Sequence, residues 1–441
     1  MRSWRTPFGF RREKSVMRCD SPMMNGRAIC RLIAVLLTFT LNARPVFADT
    51  ITLSEAVTRA LAFAPTLDSA QADTEMGRAL SDAARAPLYP TISTGIEYMQ
   101  APGYDLVVSN GGLSTAQVML DYTAFDFGRQ MALSRAALYQ SQAAAFGVPA
   151  AQAQVVFDVS VAFYMLLQAQ HSEAELNANF ERLGRYVSVV DSLLKTGRAI
   201  SNDVLRVQTV RDSAELALAD ARSNTQRAAA TLAALIGARD DSNLAAADLP
   251  QTPPAPGGEL SHNPTLAAAE RRVASAKLAV QAALRERYPV VRLAMTAGWE
   301  GINPVSTINR FGGASYDGAV AMPVFDGGLI TSHIDQAQAT LHSTEAQVRQ
   351  VRLDLGRRMA DAVLRYRQAR DQLALLDRVQ PTANDAFNLD WARFLGGGNL
   401  TLLEVMDAYQ QAEQLRLARV NQEFAERQAS AEGKLLLGLA Q

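Results

Sequence analysis

A mainly α-helical fold with a small β part is what this sequence predicts, and three observations predict it. The palette is that of long helices: Ala, Leu, Gln and Arg dominate, 48% of residues are hydrophobic and only 7% are aromatic. Apolar residues recur at alternating spacings of three and four over long stretches, the mark of a coiled-coil seam. Between those stretches lie segments that alternate apolar and polar residues with period two, as a strand with two unlike faces does. The expected chain is therefore a set of long antiparallel coiled-coil helices carrying four short strands.

The chain opens with a basic flank, Arg27 and Arg31, followed by the apolar run Leu32 to Leu41 and then Val46-Phe47-Ala48. This order reads as a secretory signal cleaved after Ala48, with residues 1–48 removed and 49–441 mature. The basic region is long for a signal, and Met23 or Met24 is an alternative start. Cys30 lacks the small apolar context of a lipid-attachment site. Ten apolar residues are too few to span a bilayer as a helix, and no uninterrupted apolar run of 18 follows Ala48, so no transmembrane helix is expected. Of the 43 basic residues, nine fall in the leader, leaving the mature part with 34 basic and 42 acidic residues. An acidic body argues against nucleic-acid binding. Both cysteines, Cys19 and Cys30, lie in the leader, which excludes disulfides and thiolate chemistry from the rest.

The mature part reads as a duplication. Ala64-Pro65-Thr66-Leu67 returns as Asn263-Pro264-Thr265-Leu266, Tyr89-Pro90 as Tyr288-Pro289, and Phe125-Asp126 with Gly128 as Phe325-Asp326 with Gly328. Gly197 followed by Asp203 returns as Gly398 followed by Glu404, and Leu235-Ile236-Gly237 as Leu436-Leu437-Gly438. Five ordered landmarks at a nearly constant offset predict two tandem repeats, 53–237 and 260–438, joined by a proline-rich linker, 238–259.

Each repeat has the same order of elements. A helix opens the first, with Thr52-Leu53-Ser54-Glu55 as a capping signal, and runs to Tyr89-Pro90. Two strands follow, Thr91–Gln100 and Gly112–Phe125, matched in the second repeat by Val290–Gly301 and Ser315–Phe325. Their lengths suit tilted membrane strands. Tyr98, Tyr104, Tyr122, Trp299, Tyr316 and Phe325 lie near them, either as an interfacial girdle or as packing at the junction with the helices. A helix from Gly128 to Thr196 follows, with a seam at Leu176, Phe180, Leu183, Val187, Val190 and Leu194. Its counterpart carries Ile334, Ala337, Leu341, Thr344, Val348, Val351 and Leu355. Leu218, Ala221, Thr225, Ala228, Leu232 and Leu235 continue the rhythm on the return helix. Pro149 and Pro381 predict kinks or breaks. Gly197 and Gly398 stand where the descending helices turn, and Asp203 and Glu404 fall in the first turn of the ascending ones, where a carboxylate suits the helix dipole.

Four amphipathic strands cannot close a barrel, and open edges are not tolerated in lipid. Three copies would supply 12 strands, with the charged helices forming a tube outside the bilayer. The duplication, the Asn-Pro helix start, the strand-ending Phe325-Asp326-Gly327-Gly328 and the glycine-to-acid tip turns resemble the TolC-type outer-membrane channel family over about residues 50–438. The resemblance implies a homotrimer with a 12-stranded β-barrel in outer-membrane lipid, continued by an α-helical barrel in the periplasm. It also implies a periplasmic adaptor (membrane fusion) protein and an inner-membrane ABC or proton-driven pump as partners. It implies further that Glu404 and Asp407, three apart on one helical face, ring the aperture at the periplasmic tip. Some members carry a latching arginine two residues after the second tip glycine. Here that position is Leu400, and Arg198 or Arg206 on the first hairpin is the substitute latch.

An enzyme is not expected. Asp126-Phe127-Gly128 lacks the other elements of a kinase and reads as a turn, and Gly396-Gly397-Gly398 has no phosphate-loop Lys-Ser/Thr after it. His171, His262, His333 and His342 show no ligand spacing, so neither a metal nor a cofactor is expected. The alternative is a soluble periplasmic coiled-coil adaptor, which would share the leader and seams but has no use for paired strands. The cargo, protein or small molecule, is not written in these residues.

Overall fold

The computed structural model describes residues 49–99, 113–238, 244–247, 253–302, 309–397 and 399–439. The predicted leader, Tyr104 and Gly398 therefore lie outside the described residues. The described chain forms one compact unit from Asp49 onward.

Helix α1 (Leu53–Phe63) starts at the predicted capping box: the Thr52 hydroxyl accepts from the Glu55 N–H, and the Glu55 carboxylate accepts from the Thr52 N–H. It stops at Ala64, whose extended backbone is what a following proline imposes, and α2 (Pro65–Arg85) begins at that proline. Asn263 repeats the device with a better cap. Its side chain accepts from the Thr265 and Leu266 N–H groups and donates to the Leu436 carbonyl, opening α6 (Pro264–Arg285).

Strands β2 (Thr91–Met99), β3 (Leu113–Phe125), β5 (Val290–Ile302) and β6 (Asn309–Ala321) form one antiparallel sheet in the order β2-β3-β5-β6. The last strand departs from expectation, beginning at Asn309 and ending at Ala321 instead of spanning Ser315–Phe325. Pro323 lacks the N–H a ladder needs, which agrees with an earlier stop. Register puts like with like. Ile92, Leu120, Met295 and Tyr316 form one cross-strand row, and Ile96, Ala116 and Trp299 lie in another. The rows on the opposite face hold Ser93, Met119, Thr296 and Ser315, or Thr91, Asp121, Ala294 and Asp317. One face is thus apolar across all four strands and the other largely polar. Among the described residues the outer sides of β2 and β6 pair with nothing.

At both strand-to-helix junctions an aspartate clamps the turn. Asp126 accepts from the Gly128 and Gln130 N–H groups, and Asp326 accepts from those of Gly328 and Ile330. Each glycine has positive φ. The first descending stretch is two helices, α3 (Arg129–Ala145) and α4 (Gly147–Lys195), a break of the kind expected near Pro149. The break falls at Phe146, three residues ahead of Pro149, which then sits in the first turn of α4 where no N–H is required. In the second repeat α7 (Leu329–Leu395) runs unbroken through Pro381, against the expected interruption. Pro381 is exposed, so the carbonyl it deprives of a donor has water within reach.

The hairpins are completed by α5 (Ser201–Ile236) and α8 (Leu402–Leu437). The seam residues of α5 and the upper part of α7 are all buried or half-buried. The main core joins α1, α4, α5 and α8 around Phe163, Leu166, Leu167, Leu232 and Phe424. Two strands not foreseen, β1 (Asp49–Ile51) and β4 (Leu244–Ala246) in the linker, pair in parallel and insert Ile51, Leu244 and Ala246 into that core. A stretch within Arg129–Lys195 has a mean hydropathy of 1.5, enough to cross a membrane by length and composition alone, a test that a core helix also passes. Its apolar residues Val159, Phe163, Leu166 and Leu167 are core residues here.

Candidate functional site

The two hairpins end side by side. In the first, α4 stops at Lys195, Gly197 turns with φ of 72°, and α5 begins after Ile200. The Asp203 carboxylate accepts from the Ile200 N–H at 3.1 Å; Ile200 has no side-chain oxygen to return the bond, and the Asp203 N–H donates instead to the Ile200 carbonyl at 2.9 Å. In the second, the described positive-φ glycine is Gly397, with φ of 80°. Thr401 caps α8 through a complete box: its hydroxyl accepts from the Glu404 N–H at 3.4 Å, and the Glu404 carboxylate accepts from the Thr401 N–H at 2.9 Å. These bonds from Thr401, backbone first, hold the Glu404 carboxyl below its ordinary range. Asp407 lies one turn further along α8 and, like Glu404, is exposed.

Of the two candidate latch arginines, Arg198 and Arg206, the structure brings one to the second hairpin. Arg198 donates from its guanidinium to the carbonyl of Leu395, the last helical residue of α7. That carbonyl is an orphan of the helix end, where a cation also meets the negative end of the dipole. Arg206 sits half-exposed on α5.

Above the tips lies a cluster that the sequence reading missed. Glu413 of α8 is buried and accepts from Arg182 of α4 at 2.7 Å and from Arg416 of its own helix. Arg416 also donates to Asn384 of α7 at 2.7 Å, and the Tyr409 hydroxyl donates to Asn179 of α4. Burial pushes the Tyr409 phenol up to about 12. Next to it Tyr186, Phe387, Trp391 and Tyr409 pack ring against ring, Tyr186 and Trp391 with centroids 4.7 Å apart. Arg182 and Glu413 come from distant parts of the chain, one in each repeat, so no local spacing announces the pair. Among the described residues no cluster of His, Cys, Asp and Glu could hold a metal.

A four-stranded sheet with an apolar face, joined to long helical hairpins, is the architecture of a known family. The family described as outer membrane efflux protein matches residues 56–238 and 256–439. The chain belongs to it. It is 28% identical over 346 residues to the protein CyaE of Bordetella pertussis, covering 73% of this chain and 70% of that one. It is 25% identical over 311 residues to the probable efflux pump outer membrane protein SepC of Pseudomonas putida, covering 67% of this chain and 64% of that one. The crystal structure of the outer membrane protein VceC of Vibrio cholerae superposes with a TM-score of 0.79 at 19% identity, over 88% of this chain and 96% of that one, and shows the shared fold. The protein is thus an outer-membrane channel subunit of the efflux and secretion class, and not an enzyme. Channels of this family are trimers.

Proposed function

We propose that this channel is the passive exit duct of an export system, built as a homotrimer. The observation that carries the reading is the sheet: one apolar face, one polar face and two unpaired edges, β2 and β6. Lipid accepts the first, a water-filled lumen the second, and only neighbouring copies satisfy the third. Three chains give 12 strands. The leader, residues 1–48, is removed, and residues 49–441 act as one channel domain made of the repeats 53–237 and 260–438. Energy comes from an inner-membrane ABC or proton-driven pump, reached through a periplasmic adaptor. Cargo is set by that pump. CyaE and the efflux protein SepC are both relatives, and a deletion strain tested for lost secreted proteins and for dye sensitivity separates the two cargo classes.

At the tip, Glu404 and Asp407 of three chains surround the aperture, Gly197 and Gly398 turn the hairpins, Asp203 anchors the first ascending helix, and Arg198 latches one hairpin to the other, with Arg206 in reserve. Two like charges ~6 Å apart repel by about 3 kcal/mol at an effective dielectric near 20, so six carboxylates draw cations to the mouth. Replacing both Glu404 and Asp407 by Ala should abolish cation selectivity in planar bilayers. Unchanged selectivity in heat-modifiable trimers would remove both residues from the aperture.

A further inference from the structure

A cavity of about 810 Å³ opens between α1, α4, α8 and the linker residues Pro253 and Pro254. That size falls in the range of small-molecule sites. Its apolar walls include Leu53, Val57 and Leu61 of α1, Val156 and Phe157 of α4, and Leu435 of α8. All six are half-buried, so they are sheltered from bulk water yet not covered by other side chains. A packed interior closes apolar voids, because walls without a neighbour forfeit their dispersion contacts. Here the linker holds the space open. The Ser430 hydroxyl donates to the Pro254 carbonyl at 2.7 Å and the Tyr366 hydroxyl to the Pro253 carbonyl at 3.0 Å, which ties the prolines to α8 and α7. Pro256 seats against Gly433 so closely that a Cβ on the glycine would stand 2.4 Å from the proline Cβ. The linker therefore cannot slide inward to fill the gap.

The charged lining is of one sign. Arg427 and Lys434 of α8 face the cavity, and among the described residues no carboxylate lines it. Seven positions apart, the two stand on one helical face about 10 Å from each other along the axis. Arg427 is buried; it donates to Glu423, one turn back on the same helix, at 3.0 Å, and lies over the Phe424 ring at 5.6 Å. Glu423 balances one of the two charges, and exposed Lys434 leaves the wall net positive. Burial raises the Tyr164 phenol, and the Arg427 charge draws it partly back, so hydroxyl and guanidinium share one part of the cavity. The phenol stays protonated and is a donor. The first turn of α1, at Leu53 and Ser54, adds the positive end of a helix dipole.

We infer that this cavity binds a single-chain lipid anion, its acyl chain along the apolar walls and its carboxylate or phosphate head toward Arg427, Lys434 and the Tyr164 hydroxyl. Apolar walls with a few convergent donors are what such a molecule needs. A sugar or a peptide would set its polar groups against leucine, valine and proline without partners. A cationic amphiphile would meet two like charges. The site is built by one chain alone, so it stands independently of how many copies assemble and of what the duct exports.

Protein extracted from outer membranes in a sugar-headed non-ionic detergent and stripped of lipid is titrated with laurate, myristate and palmitate under native mass spectrometry. It should take up one molecule per chain. Affinity should rise roughly tenfold for each two methylenes added, as burial of a chain requires. Hexadecyltrimethylammonium, with the same length of chain and the opposite head, should bind roughly tenfold more weakly than palmitate. Lys434→Glu, an exposed change, should weaken palmitate by up to about fivefold. Val57→Trp, which fills the cavity, should abolish uptake. Palmitoyl lysophosphatidylglycerol is the second anion: uptake of palmitate alone assigns a free fatty acid, and uptake of the lysophospholipid alone assigns a membrane lipid. No saturable uptake of either, equal binding of the cationic amphiphile, or affinity that ignores chain length overturns the site. The chain-length and head-group series use the wild-type protein, so they decide the matter even where Val57→Trp does not fold.

Discussion

The two hairpins descend from equivalent parts of the sequence, and the difference between them lies at their turns. From the last residue of α4 to the last of α7 the offset is 200, but from the first residue of α5 to the first of α8 it is 201. The extra residue therefore sits in the second tip, beside the run Gly396-Gly397-Gly398. There Thr401 and Glu404 fix the start of the ascending helix. The first tip is the reverse: shorter, with one glycine, but capped only from the Asp203 side. A longer turn joined to a firmly capped helix suits a hairpin that swings as a unit. The first hairpin, packed through α4 on both α5 and α8, suits the frame against which it swings.

If that division holds, the largest effect belongs to the bond between frame and moving part. Glu413 of α8 holds Arg182 of α4, and both are largely buried. Glu413→Ala leaves two guanidinium groups without their carboxylate, which should cost about 3 kcal/mol, the lower end of the range for breaking a buried pair. The reading is a trimer that dissociates at lower temperature and a channel of higher resting conductance. Glu413→Ala combined with Arg182→Met should recover part of the stability, because no buried charge is then stranded on α4. If the double variant falls below the wild type by the full sum of the two single losses, the pair does not couple the hairpins.

Much of this arrangement was legible from residue patterns, and the exceptions have physical causes. Period-two alternation located β2, β3 and β5 to within about two residues, because one face of each must be apolar. It failed on β6, where Asn309, Gly312 and Gly313 give the first part of the strand the composition of a turn and interrupt the alternation. Strands β1 and β4 have three residues each, too short for any period. Pro381 misled because an exposed proline loses only one hydrogen bond, and the rest of α7 outweighs it. At the tip, Glu404 was legible as a first-turn acid suited to the helix dipole, while its box with Thr401 came only with the structure. The Arg198–Leu395 contact was legible only as a type of residue in a plausible place. The Arg182–Glu413–Arg416 cluster, with Asn384 beside it, was not legible, since it is assembled by three helices from distant segments.

The caps offer a reciprocal test of the contrast between the tips. Thr401→Ile should cost about 1 kcal/mol, the usual worth of an N-cap side chain, and Ile200→Thr should return a similar amount to the first hairpin by completing the box with Asp203. Acid should act unequally as well. The Glu404 carboxyl titrates below its unfolded value, so its stabilising bonds to Thr401 are fully present above about pH 4.5 and are lost as pH falls through the lower folded value. Hydrogen exchange at the start of α8 should speed up in that window in the wild type, and Thr401→Ile should flatten the response. An exchange rate at α8 that is independent of pH between 3 and 5 would refute the role given to the box.

The smallest effect should come from Arg198, whose guanidinium bonds the turn of one hairpin to the helix end of the other. It is exposed, and its acceptor Leu395 is the end of a helix that water also reaches. Arg198→Ala should therefore cost no more than about 1 kcal/mol, the range of a single exposed bond aided by a helix dipole. It should leave the dissociation temperature of the trimer almost unchanged, while the open fraction of single channels rises up to about fivefold, the population shift that about 1 kcal/mol produces. Arg198→Lys separates charge from geometry. A lysine keeps the cation at the end of α7 but not the planar fork, so partial restoration assigns the contact to the dipole, and none assigns it to the directed bond. A rise in open fraction as large as that of Glu413→Ala would move the latch from the buried cluster to the tip and reverse the order of the two contacts.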